Sequence, residues 1–161
     1  MRYSSLDAFL AEGKTALAKG PVALVLVEDD VETDSTLRHH LDLRFRQVVA
    51  FMPPAFDLAP DVEEAVIRVD HDVKREAGFP DLVNRVIEAA PGIWLYYCFN
   101  AEYLFFPFCE TRTVGELATF HGEERRDAML TYVIDIYAGD LRQHKNAVAR
   151  EDANLDKAGY Y

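Results

Sequence analysis

Four groups of side chains have the type and spacing to do chemistry: Glu28-Asp29-Asp30, Asp70-His71-Asp72, Asn100-Ala101-Glu102, and Asp135. Asp70 and Asp72 spell D-x-D, and two carboxylates so spaced can hold a hard divalent cation against phosphate oxygens. Lys74, Arg75 and Glu76 follow at once, so a charged, solvated loop is the preferred plain reading. Glu28-Asp29-Asp30 could accept hydrogen bonds from a ribose or a base N–H. It could equally form a solvated strand-to-helix turn, where Asp is common. Glu102 lies between the aromatic run Ile93–Phe99 and Leu104-Phe105-Phe106-Pro107, and an acid amid apolar bulk needs a partner.

Other candidates are weaker. His39 and His40 fall on a predicted helix, where adjacent residues point about 100° apart and cannot easily share a metal. His121 and Glu124 have a helical spacing but lack further ligands. Exposed or capping roles are expected for these histidines. Cys98 and Cys109 have no C-x-x-C spacing and read as small core residues. The glycine-rich dinucleotide fingerprint, the P-loop and the G-x-S-x-G elbow are all missing from the sequence.

Strands and helices must position these groups. Val22–Val27 is continuously apolar, the pattern of a strand buried on both faces. Gln47–Met52, Ala65–Val69 and Ile93–Phe99 are three further predicted strands, and Ala128–Tyr137 reads as another. A first helix is expected from a Ser4 or Ser5 cap to about Gly20, and a second from Asp34 or Ser35 with Leu37, Leu41 and Phe45 on one stripe. Pro80 opens a third that stops at Pro91-Gly92, and Thr113 with Glu116 forms a capping-box signature for a fourth. This alternation predicts an α/β fold, a Rossmann-like, mostly parallel sheet with helices on both faces. Ligands of such sheets bind at the carboxyl ends of the strands. Three of the acidic groups fall there, while Asp135 lies within the last predicted strand.

The 161 residues, half of them apolar, suit one domain, with residues 22–140 as the core and 141–161 as a polar C-terminal segment. The net charge of −11 and the scattered Lys and Arg residues argue against nucleic acid and against a bare anionic membrane as partners. Apolar runs fall well short of the roughly 20 residues of a transmembrane helix. The first residues lack the pattern of a secretory signal, so a cytoplasmic location is expected.

The succession Ile93-Trp94-Leu95-Tyr96-Tyr97-Cys98-Phe99-Asn100-Ala101-Glu102-Tyr103-Leu104-Phe105-Phe106-Pro107 resembles a bacterial subgroup of the family 2 glycosyltransferases. There a W-x-x-x-x-D-x-D-E-F-L-x-x-P segment carries a D-x-D metal site. Cys109–Thr113, Val114–Leu117 and Asp135-Ile136-Tyr137 are also similar, and the likeness covers about residues 22–140. It implies a GT-A fold and a nucleotide-sugar donor, with the acceptor unidentified. A divalent ion, Mn or Mg, would stabilise the leaving nucleoside diphosphate. In this sequence Phe99 and Ala101 stand at the two aspartate positions, and Glu102 matches the acid that follows.

On the resemblance, Glu28, Asp29 and Asp30 would contact the nucleoside, with Asn100 and Asp70 also on the donor side. Glu102 would orient the donor or bind metal, with Asp70 and Asp72 as outside help, and Asp135 would serve the acceptor side. Members of this fold run well past this length, so a fragment or a reduced relative is expected. The alternatives are a non-catalytic binding or scaffolding module, and a phosphotransfer domain using Asp70 and Asp72.

Overall fold

The computed structural model describes residues 1–74 and 78–155. The chain forms two compact units, Met1–Arg125 and Arg126–Tyr161.

In the first unit the elements run β1 (Arg2–Tyr3), α1 (Leu6–Glu12), β2 (Val22–Leu26), α2 (Thr33–Asp42), β3 (Gln47–Met52), α3 (Pro60–Ala65), β4 (Ile67–Asp70), α4 (Phe79–Ala89), β5 (Leu95–Phe99) and α5 (Val114–Glu123). The five strands form one parallel sheet in the order β1-β4-β3-β2-β5. Every residue of β2 is buried, as its unbroken apolar run requires. Val22, Leu24 and Leu26 enter one core with Leu6 and Phe9 of α1 and Leu82, Val83 and Val86 of α4. Ala23 and Val25 enter the other, with Leu37 of α2 and Val62 of α3. This period of two sends alternate side chains to opposite faces, and both faces carry helices. The fold is therefore the expected Rossmann-like α/β arrangement.

Ser5 caps α1 by accepting the Ala8 N–H, and Thr113 and Glu116 close a reciprocal capping box on α5. Helix α1 stops at Glu12, short of the expected Gly20, and a 3₁₀ turn, Gly13–Thr15, follows. A Cβ at Gly13 would lie 2.6 Å from the Phe9 ring, so glycine lets the turn close over that buried aromatic. Two elements were not legible: β1, two residues long, and α3, which opens on Pro60. Helix α3 takes up Ala65, so β4 begins at Ile67 rather than at the expected Ala65.

In the second unit the expected strand Ala128–Tyr137 is corrected. Only Ile136–Ala138 (β6) pairs, antiparallel with β7 (Ala153–Leu155) inside the segment expected to be merely polar. Leu130, Tyr132, Val133 and Ile134 are exposed. High strand propensity without a partner edge does not make a strand. Among the described residues, no helix is long and apolar enough to cross a membrane.

Candidate functional site

The chain leaves β2 toward β3 on one side, and β5 returns to its other side. The neighbouring carboxyl ends of β2 and β5 are thus a topological switch point, where open α/β sheets bind ligands. Two of the predicted groups meet there, Glu28-Asp29-Asp30 after β2 and Asn100-Ala101-Glu102 after β5.

Asn100 joins them. Its backbone N–H donates to Leu26 O at 3.1 Å, extending the ladder one residue past β5. Its side-chain Oδ1 accepts the Glu28 N–H at 2.9 Å. Its Nδ2 donates to Asp29 Oδ1 at 2.6 Å and to Val31 O at 3.0 Å. One amide thereby pins the whole acidic loop to the end of β5, with its donor and acceptor groups engaged. The Asn100 side chain, expected on the donor side, holds the acidic loop in place. Asp29 Oδ1 also accepts the Val31 N–H at 3.0 Å, an Asx turn that its residue type favours. Asp29 is half-buried, and Glu28 and Asp30 are exposed.

The partner that Glu102 needed is its own strand. Its Oε2 accepts the Phe99 N–H at 2.8 Å. The same turn is closed by the Glu102 N–H on Phe99 O at 3.3 Å and by the Ala101 N–H on Thr36 Oγ1 at 2.9 Å. Ala101 sits at φ 62°, and Glu32, at the start of α2, at φ 52°. Left-handed backbone is unfavourable for side chains other than glycine; each loop of the switch point has one such residue, and Arg44, Phe108, Arg125 and Ala147 share it elsewhere.

Helix α2 ties the two loops from behind. Thr36 Oγ1 donates to Glu32 O at 2.7 Å, and Thr33 Oγ1 to Asp29 O at 3.0 Å. Ser35 Oγ lies 2.8 Å from the Tyr103 hydroxyl and also bonds Glu32. His39 Nε2 meets Leu104 O at 2.8 Å. In the sequence Ser35 is legible only as a candidate helix start and Tyr103 only as part of the segment after β5; Thr33 and Thr36 are not singled out. The signal available was hydroxyl residues recurring through the first turns of a helix that follows an acidic loop.

His40 requires correction, since it is completely buried rather than exposed or capping. Its Nδ1 lies 2.8 Å from Thr36 O and its Nε2 3.7 Å from Cys98 Sγ, with Tyr96 stacked on the ring. Burial, chiefly, lowers its pKa to about 4 and the nearby His39 adds to this, while the bond to Thr36 opposes it. Cys98 is the expected small core residue, and burial drives its pKa upward.

The Asp70 group does not join this site. Strands β4 and β5 are separated by β3 and β2, roughly 14 Å at ordinary strand spacing. Asp70 shares the single Arg2 Nε–H between its two oxygens, each at 3.1 Å, and accepts from Arg2 Nη2 at 2.9 Å and from Arg68 Nε at 3.2 Å. It is a charge lock between β1 and β4. Asp72 accepts the Lys74 N–H in a local turn, and the Arg75 and Glu76 of the expected loop lie outside the described residues. Asp135 is exposed and belongs to the second unit.

The divalent ion implied by the resemblance does not fit these residues. Phe99 and Ala101 offer no side-chain oxygen at the D-x-D positions. Glu102 is turned onto Phe99, and Asp70 and Asp72 stand at and just beyond the end of a distant strand. Among the described residues no group of three or more His, Cys, Asp or Glu side chains could hold a metal ion. A cavity of about 420 Å³ lies away from the switch point, against Arg44, Cys109 and Arg112. Asp42 and Glu110 also line it, so its arginines are opposed by carboxylates there. Comparison with family models, with curated proteins and with solved structures gives no match.

Proposed function

We propose that the Met1–Arg125 unit is a glycosyltransferase-like domain that binds a nucleotide-sugar over the carboxyl ends of β2 and β5. The observation that carries this reading is the Asn100 clamp. It presents the half-buried Asp29 and the exposed Glu28 and Asp30 at the switch point as acceptors for ribose or base donors. The sequence resemblance around residues 94–117 supports the same reading.

Titrating the full chain with UDP- and GDP-sugars, with and without Mn²⁺, tests it by calorimetry. Saturable binding that Asn100→Ala weakens and Asp70→Asn leaves unchanged is expected. Absence of binding by every donor in both conditions would overturn it.

A second reading is a non-catalytic binding or scaffolding relative, favoured by Phe99 and Ala101 at the aspartate positions. Metal binding that appears only when both positions are changed, Phe99→Asp with Ala101→Asp, would support it. Metal binding by the unaltered chain, lost in Glu102→Gln, would count against it.

A further inference from the structure

Behind the switch point, α2 meets β5 and the turn that follows it along a seam, and two of its rungs involve Thr36 and His40. At the mouth, Thr36 Oγ1 accepts the Ala101 N–H at 2.9 Å. Deeper, His40 Nε2 faces Cys98 Sγ at 3.7 Å. The rungs are coupled, because His40 Nδ1 bonds the carbonyl of Thr36 itself at 2.8 Å. A carbonyl only accepts, so Nδ1 carries the proton and Nε2 presents its lone pair to the Cys98 S–H.

We propose that this seam is an acid-operated latch: a proton taken up by His40 unseats α2 from β5 and frees the Ala101 turn while the sheet stays folded. A second proton on the ring converts Nε2 into a donor pointed at a thiol, a poor acceptor. It also places a full charge in a pocket that has no exposed surface. The groups facing His40 offer no compensation. Thr36 and His39 lie on its own helix, Cys98 and Tyr96 on β5, and Phe45 beyond α2. None of these contacts is a carboxylate. Glu102 acts electrostatically on Cys98 and Tyr96, but it is held by the Phe99 N–H. Once the His40–Cys98 rung gives way and α2 moves off, the Thr36 rung on the same helix is drawn away from the +62° backbone of Ala101, and that turn relaxes. The latch governs the same site as the nucleotide-sugar reading but stands without it, since it concerns the floor and not the ligand.

Cys98 reports the seam directly. It is 1 % exposed and Cys109 can be removed, so the full chain carrying Cys109→Ser has one thiol. That thiol is labelled with a pyridyl disulfide across the acid range, with rates divided by those of a free thiol at each pH. As the pH falls from about 6.5 to about 4, the relative rate should rise roughly tenfold or more, with far-UV circular dichroism unchanged. His40→Leu should abolish the rise. If that variant does not fold, His40→Gln, which keeps an acceptor but does not titrate, replaces it. A flat profile in the parent overturns the latch. So does an equal rise in the non-titrating variant, or a rise that coincides with loss of secondary structure.

Discussion

The carboxyl edge of the sheet carries acids at two places, the end of β4 and the adjoining ends of β2 and β5, and they are used in opposite ways. At the end of β4, Asp70 is gripped by Arg2 and by Arg68, whose side chain is only 3 % exposed. Arg68 also reaches Glu63 at 3.4 Å and the carbonyls of Pro53 and Pro54. There the carboxylate charge is cancelled, and what it secures is the edge of the sheet. At the ends of β2 and β5, Asp29 and Glu102 are held by uncharged amides, from Asn100, Val31 and Phe99. Their geometry is set by neutral donors and not by an arginine. On the proposed reading a ligand that donates hydrogen bonds gains more at the second place, although D-x-D in the sequence marks the first.

Substitutions can break this contrast at either end. The largest effect is expected from Arg68→Ala, which leaves Asp70 to Arg2 alone, takes a partner from Glu63 and from the Pro53 and Pro54 carbonyls, and opens a void where a buried side chain stood. A loss of about 4 kcal/mol in urea denaturation is expected, with nucleotide-sugar affinity unaltered in the folded fraction. A change in affinity would mean that the two ends are coupled.

Next comes pH. The folded pKa of His40, about 4, lies below the ordinary 6.5. The unfolded chain therefore gains a proton there as pH falls through 6.5, and the folded chain does so only near 4. The stability from neutral His40 is complete above pH 6.5 and is lost between 6.5 and 4, about 3 kcal/mol in all. Denaturation at several pH values checks this, and His40→Leu should flatten that part of the profile. Arg68→Ala should leave it in place, because the titrating group belongs to the switch-point end.

Asn100→Ala should cost about 2 kcal/mol, since the Glu28 N–H and the Val31 carbonyl lose their partner. Unlike Arg68→Ala, it should also weaken nucleotide-sugar binding, measured by the same titration. The smallest effect is the sharpest on role. Glu102→Gln retains an oxygen to accept the Phe99 N–H, so stability should move by less than about 0.5 kcal/mol. Glu102→Ala removes the acceptor and should cost about 1 kcal/mol. If Gln were as damaging as Ala, the charge of Glu102, and not its hydrogen bond, would be what the turn requires.

Much of this was written locally. The unbroken apolar run of β2 required burial on both faces, and Gln47–Met52 was legible to the residue as β3. Thr113 with Glu116 announced α5. Each of these signals lies within a few residues of its effect. The failures are as instructive. Ala128–Tyr137 has strand-like residues, yet pairs only at Ile136–Ala138, because a strand needs an edge elsewhere in the chain. His39 and His40 looked alike, but one position on a helix is about 100° of rotation. That turns His39 to the Leu104 carbonyl and His40 into the core.

The sequence by itself determined the alternation of strands and helices, the apolar layers, and the presence of acids at three strand ends, because periodicity and turn chemistry are local. Only the tertiary structure decided which of those acids meet. Strand order places β5 beside β2 and β4 two strands beyond, and no spacing in the chain records that order. It brings Asn100 to Asp29 across 71 residues and keeps Asp70 and Asp72 apart from both.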